Sequence, residues 1–210
     1  TIYAFLKENN RPLKETVVAD IGASGMIGGG VVRGLEGKVQ KTIAIAREIR
    51  KISNLSDIAE ICTNENLAII GQADVVILNT SSPIPIINRD NCKWLKQNAI
   101  ILDVAVPSDF DDKVLEIRPD IRLIRCGLIR LPGNPQTRID LHFGEGLVPA
   151  CLAQTLILGF TKEYSNATRG AMIRPKTMEW YLKQAELFGL EIITSDIAER
   201  RLFSGQGEIK

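Results

Sequence analysis

Three glycines at a three-residue spacing, Gly22, Gly25 and Gly28, separate the apolar run Val17 to Ile21 from a second apolar run that restarts at about Met26. A buried strand entering a glycine-rich turn that opens a helix is the setting of a phosphate cradle. In that setting Gly22 takes the φ > 0 turn, Gly25 lets the backbone approach a pyrophosphate, and Gly28 lets the helix press on the strand. The candidate ligand-binding residues are Gly22, Ser24, Gly25, Met26, Ile27 and Gly28, whose first helical amides face negative charge along the helix dipole. The spacing is Gly-x-x-Gly-x-x-Gly rather than the commoner Gly-x-Gly-x-x-Gly, so the flanking strand and helix carry the assignment; a tight turn without a ligand is the alternative.

A dinucleotide site needs more than a turn. The second strand of such a unit ends beside the adenosine ribose. Here Lys41 to Ala46 is followed by Arg47, Glu48, Ile49, Arg50 and Lys51. Guanidinium groups grip a 2′-phosphate bidentately, which makes NADP the expected cofactor, with Arg47 and Arg50 as its readers. The same residues also read as a solvated helix start around Glu48. Thr80, Ser81 and Ser82 follow the run Val75 to Leu78 and leave the carboxyl edge of the sheet, where ligands of open α/β folds bind. They read either as neighbours of the nicotinamide ribose or as turn residues before Pro83.

Cys151 is the candidate nucleophile. It follows Pro149, and proline is favoured at the first helical position, which puts the thiol at about the third, near free amides that stabilise a thiolate. The alternative is a small buried core residue. His142, the single histidine, reads as an acid or base or as a surface loop residue. Asp103, at a strand end, reads as a site residue or as a cap. Cys62, Cys92, Cys126 and Cys151 lie about thirty residues apart with no C-x-x-C pair, so no metal site is expected and a reducing cytoplasm suits them.

The elements that must hold these residues alternate strand and helix, which implies crossovers and a doubly wound parallel sheet, an α/β NAD(P)-binding Rossmann fold with C-terminal helices. Strands are expected at Val17 to Ile21, Lys41 to Ala46, Val75 to Leu78, Ala99 to Val104 and Ile121 to Arg125. Helices are expected from Met26 to about Leu35 and at Ser53 to Ile61, Arg89 to Lys96, Leu147 to Tyr164 and Pro175 to Phe188. Cys126 to Pro135 shows no periodicity. The organisation expected is a connecting helix at 1–14, a dinucleotide-binding domain at 15–145, cysteine-bearing helices at 146–190 and a tail at 191–210. A first residue of Thr1 suggests a fragment with a folded domain before it.

With 210 residues, 45% of them hydrophobic, the chain can bury a core. A net charge of +1 and 5% aromatic residues exclude nucleic acid as the expected partner. The longest apolar run, Gly146 to Phe160, falls short of the ~20 residues of a membrane span. Arg118, Arg122, Arg125 and Arg130 read as a local docking patch or as solvated edge charges.

The segment PACLAQTLILGFTKEYSNATRGAMIRPKTMEWYLKQAELFGL, Pro149 to Leu190, resembles the C-terminal part of the cyanobacterial long-chain acyl-(acyl-carrier-protein) reductases, whose Ala-Cys-Phe-Ala-Glu-type motif opens a helix. Cys151 matches that cysteine, and Tyr164 and Asn166 match a Tyr-x-Asn that follows. Upstream, IGASGMIG, IAREIRK and LDVAVPSDF are similar to the family's turn, basic strand end and Asp-x-x-x-Pro strand end. Gln154 stands where the family has Glu, Ser108 replaces a basic residue, and Thr168-Arg169-Gly170 alters the glycine-arginine order. The resemblance implies NADPH-dependent reduction of a fatty acyl thioester, on acyl carrier protein or CoA, to an aldehyde through an acyl group on Cys151. Its rivals are an NADP dehydrogenase of the shikimate or glutamyl-tRNA reductase kind, and a non-catalytic NADP-binding module of a larger protein.

Overall fold

In a computed structural model the described residues are 12–136, 143–168 and 173–193. Six strands, β1 (Val17–Ile21), β2 (Lys41–Ala46), β3 (Glu60–Thr63), β4 (Val75–Leu78), β5 (Ile100–Asp103) and β6 (Arg122–Arg125), form one sheet in the order β3-β2-β1-β4-β5-β6. β1 pairs in parallel with β2 and β4, β2 with β3, and β4 with β5. The expected α/β doubly wound fold is therefore present, and its strand order reverses at β1, between β2 and β4.

Alternation along the strands divides the core between two faces. Ile43 and Ile45 of β2 join Ile21, Val76, Leu78, Ile101 and Phe110 in one cluster, whereas Ala44 and Ala46 join Val32, Ile52 and Leu55 in another. Each fully buried Ile, Leu or Val contributes about 1.5–3 kcal/mol, so both faces must be covered. Small Ala44 and Ala46 suit the close approach of α1 (Met26–Leu35), which buries Gly28, Gly29, Gly30, Val32 and Leu35.

Two expected helices do not form. Ser53 to Ile61 holds a 3-10 turn at Ser53–Leu55 and then enters β3. Ser53 and Ser56 donate their hydroxyls to the carbonyls of Arg50 and Ser53, local bonds that compete with a helix. Arg89 to Lys96 holds only a 3-10 turn, Cys92–Trp94. Asn88 and Asn91 bond the surrounding backbone, and the Arg118 guanidinium donates to the carbonyls of Cys92, Leu95 and Lys96. Asn64–Gln72 is 3-10, and α2 (Val114–Ile117) is a single turn.

The chain divides into two compact units: Ile2–Leu123 with Arg169–Pro175, and Thr1, Ile124–Thr168 and Lys176–Lys210. The second unit contains an antiparallel sheet that periodicity did not reveal: β7 (Leu128–Arg130) lies between β8 (Leu147–Pro149) and β9 (Glu191–Ile192). Leu128, Leu147 and Ile193 form its small core, with Phe143 against them. The expected helix from Leu147 starts later, as α3 (Ala150–Thr161), because β8 takes its first residues. Pro149 is the N-cap rather than the first helical residue, and α3 ends on Lys162 in the left-handed conformation, φ 58°. α4 (Pro175–Leu187) follows. Most of the expected connecting helix at 1–14, His142, Arg169, Gly170 and most of the 191–210 tail lie outside the described residues; Leu13–Glu15 is a 3-10 turn.

Candidate dinucleotide site

β1 delivers its chain to Gly22, whose φ is +114°. A Cβ there would stand 2.4 Å from Asn79 Oδ1 and 2.8 Å from the Asn79 carbonyl, so only glycine fits between β1 and the end of β4. The amides of Gly22 and Ala23 both donate to the Ile45 carbonyl of β2, at 3.0 and 3.1 Å, and Gly25 N–H donates back to Gly22 at 2.8 Å. Gly28 packs so closely that a Cβ would lie 2.4 Å from the Gly22 carbonyl oxygen.

Gly25 caps α1 with no side-chain hydrogen bond, and the first turn carries no acidic residue. The amides of Met26, Ile27 and Gly28 precede the first intrahelical bond, from Gly29 N–H to Gly25. Ser24, Gly25, Met26 and Ile27 are exposed. An uncapped, acid-free helix start behind a glycine cradle, at the strand-order reversal, fits a dinucleotide pyrophosphate.

The flanking strand ends complete the edge. Arg47, exposed, follows β2 directly. Arg50 donates from Nε to Glu48 at 2.7 Å, and Lys51 pairs with the same carboxylate at 2.5 Å. Hydrogen bonds from Lys51 and then Arg50 hold the Glu48 carboxyl below the usual carboxylate range. Exposed pairs of this kind are worth little, so a phosphate can displace Glu48 as the guanidinium's partner.

After β4, Thr80 is held rather than loose. Asp109, fully buried, accepts from the Thr80 amide at 2.7 Å and from its hydroxyl at 2.6 Å, and the Ser82 amide donates to Thr80 Oγ1 at 3.0 Å. Ser81 is exposed. Asp103 acts as a cap: Ala105 N–H and the Ser108 hydroxyl donate to it at 3.1 and 2.6 Å. A cis Val106–Pro107 bond lies within that loop, and Val106 is 83% exposed.

Two groups escaped the sequence reading. Asp109 was hidden in a loop. Asp20 is the one charged residue in the strand VVADI, which was its signal. It is fully buried, and burial pushes its carboxyl up to about 7 against the opposing hydrogen bond from Asn79, whose Nδ2 donates to Oδ2 at 2.9 Å.

The glycine turn, Arg47, Arg50 and Thr80 to Ser82 thus gather in one unit, whereas Cys151 belongs to the other. Cys151 is the second residue of α3, not the third, and is exposed rather than core. Gln154 donates to the Thr168 hydroxyl at 2.8 Å, and Tyr181 to the Asn166 carbonyl at 3.1 Å. All four cysteines are free. Among the described residues no cluster of three His, Cys, Asp or Glu side chains could hold a metal, and no helix is long and apolar enough to cross a membrane. Of the four arginines open to either reading, Arg118 is engaged with Asp120 and backbone carbonyls and Arg125 is buried.

A family model described as shikimate / quinate 5-dehydrogenase matches residues 5–125. Among solved structures, the chain is similar to glutamyl-tRNA reductase from Methanopyrus kandleri, with 19% identity, a TM-score of 0.50, and coverage of 89% of this chain and 41% of that one. It is also similar to a dipicolinate synthase from Bacillus halodurans, with 20% identity, a TM-score of 0.50, and coverage of 63% and 43%. The chain spans about two fifths of the length of these two solved proteins. At this identity the structural likeness shows the fold. These matches overturn the expected kinship with acyl-(acyl-carrier-protein) reductases, which rested on short motifs around Cys151 and on a glycine turn that many reductases share.

Proposed function

Because the chain belongs to the shikimate/quinate 5-dehydrogenase family, an NAD(P)-binding oxidoreductase lineage, we propose that it is the dinucleotide-binding part of an NADP-dependent dehydrogenase of the shikimate or glutamyl-tRNA reductase kind. The observation that carries this reading is the uncapped start of α1 set behind Gly22, Gly25 and Gly28. NADPH, when bound, supplies hydride. The chain's own residues do the rest of the work. The amides of Met26, Ile27 and Gly28 hold the pyrophosphate. Arg47 and Arg50 take the 2′-phosphate, Arg50 exchanging Glu48 for it. Thr80, locked by Asp109, sets the path of Ser81 and Ser82 along the nicotinamide side of the edge.

Cys151 has no part in dinucleotide binding on this reading. Fluorescence titration with NADPH and NADH tests it. NADPH binds at least tenfold more tightly than NADH, and an Arg47→Ala/Arg50→Ala double variant abolishes that preference while leaving NADH affinity unchanged. Equal affinity for both dinucleotides in the unmodified chain contradicts the NADP assignment; no binding of either contradicts the reading as a whole.

A further inference from the structure

Asp20 sits one residue before the end of β1, with Ala44 of β2 and Ile77 of β4 in register beside it. Its Oδ1 lies 2.7 Å from where a Gly28 Cβ would stand and has no hydrogen-bond partner. Asn79 Oδ1 also lacks one, and it lies 2.4 Å from the corresponding point on Gly22. Two buried, unsatisfied acceptor oxygens therefore stand directly beneath two glycines of the phosphate turn. An orphaned buried acceptor costs about 1–3 kcal/mol, and more when it is charged.

Among the described residues of the neighbouring elements, no cation is placed to compensate an ionised Asp20. β4 has no ionisable side chain. The single ionisable residue of β2, Lys41, is three residues away in register and is engaged with Glu60 and Gln72. The one in α1, Arg33, donates to the Gly29 carbonyl. The carboxyl's position near 7 arises from burial, opposed by the Asn79 bond. A proton on Asp20 removes the charge and converts one orphaned acceptor into a donor.

Gly28 is at once the roof over Asp20 and the third amide of the anion-binding turn. Resting on the dinucleotide reading above, we propose that the buried Asp20–Asn79 pair couples dinucleotide binding to one proton: the turn accepts a pyrophosphate with Asp20 neutral and resists it with Asp20 ionised. Two like charges on either side of one glycine repel with little solvent between them. In balance, the ionised protein, one proton and the dinucleotide give the complex with Asp20 protonated. No bond other than that O–H forms or breaks.

The test is the pH dependence of NADH affinity for the full chain, since the phosphates of NADH do not titrate between pH 6 and 9. Affinity is expected to be flat below about pH 7 and to fall towards tenfold per pH unit above it, as for one linked proton. Asp20→Asn, permanently neutral, is expected to bind with no such slope. Calorimetry of the unmodified chain at pH 8, in two buffers of different ionisation enthalpy, is expected to record uptake of close to one proton on binding; it decides the matter without the variant. A flat profile with no proton uptake, or the same slope in Asp20→Asn, overturns the coupling while leaving the dinucleotide reading intact. No binding of NADH or NADPH at any pH overturns both.

Discussion

A carboxyl inside a sheet makes the fold itself sensitive to pH. Asp20 titrates near the ordinary aspartate value of 3.8 when unfolded and at about 7 when folded. Between those values the folded state holds more protons than the unfolded one, so stability falls as pH rises from about 4 to 7 and is level beyond. The full cost is of order 4 kcal/mol. Asp20→Asn therefore unfolds at higher urea concentration than the unmodified chain at pH 8, and the gap closes towards pH 4; a constant gap across that range contradicts the burial argument. Gly28→Ala sets a methyl 2.4 Å from the Gly22 carbonyl, and the forced shift costs about 1–3 kcal/mol and weakens NADPH binding. Parallel urea and fluorescence titrations check both effects. At this scale the glycines and arginines were legible because their chemistry depends on local spacing. Asp20, Asn79 and Asp109 were not, because what each does is set by partners as far as 59 residues away.

Among the elements, β1, β2 and β4 could be read to the residue from their short, mostly apolar runs, as strands buried on both faces should be. The failures have named causes. Serine and asparagine side chains turned two expected helices into single turns, and β7 is only three residues long, with its pairing supplied by segments far along the chain. Cys151 was placed one helical position too far in because β8 continues to Pro149. One loop is held by a single side chain: Asp109 fixes the segment after β4 through two hydrogen bonds to Thr80. Asp109→Ala leaves the Thr80 amide without its acceptor and destabilises the protein by about 1–3 kcal/mol. Hydrogen exchange at the Thr80 and Ser82 amides then quickens far more than at β1; uniform quickening contradicts the latch.

For the molecule as a whole, the family match and the six-stranded sheet both centre on the unit Ile2–Leu123. The α/β fold and the NAD(P) cofactor class were legible in the sequence, but the relatives were not, because the motifs near Cys151 outweighed a fold signal spread over 121 residues, 5–125. Ligand linkage gives a prediction at this scale: NADPH at a hundredfold excess over Kd stabilises the chain by about 2.7 kcal/mol. Cys151→Ala shows the same stabilisation, whereas a thiol needed for dinucleotide binding would abolish it. Amide chemical shifts during an NADPH titration test the central claim most directly. The largest changes are expected at Ser24 to Gly28, Arg47 to Arg50 and Thr80 to Ser82; saturable changes centred on the residues around Cys151 instead, or none at all, would contradict it.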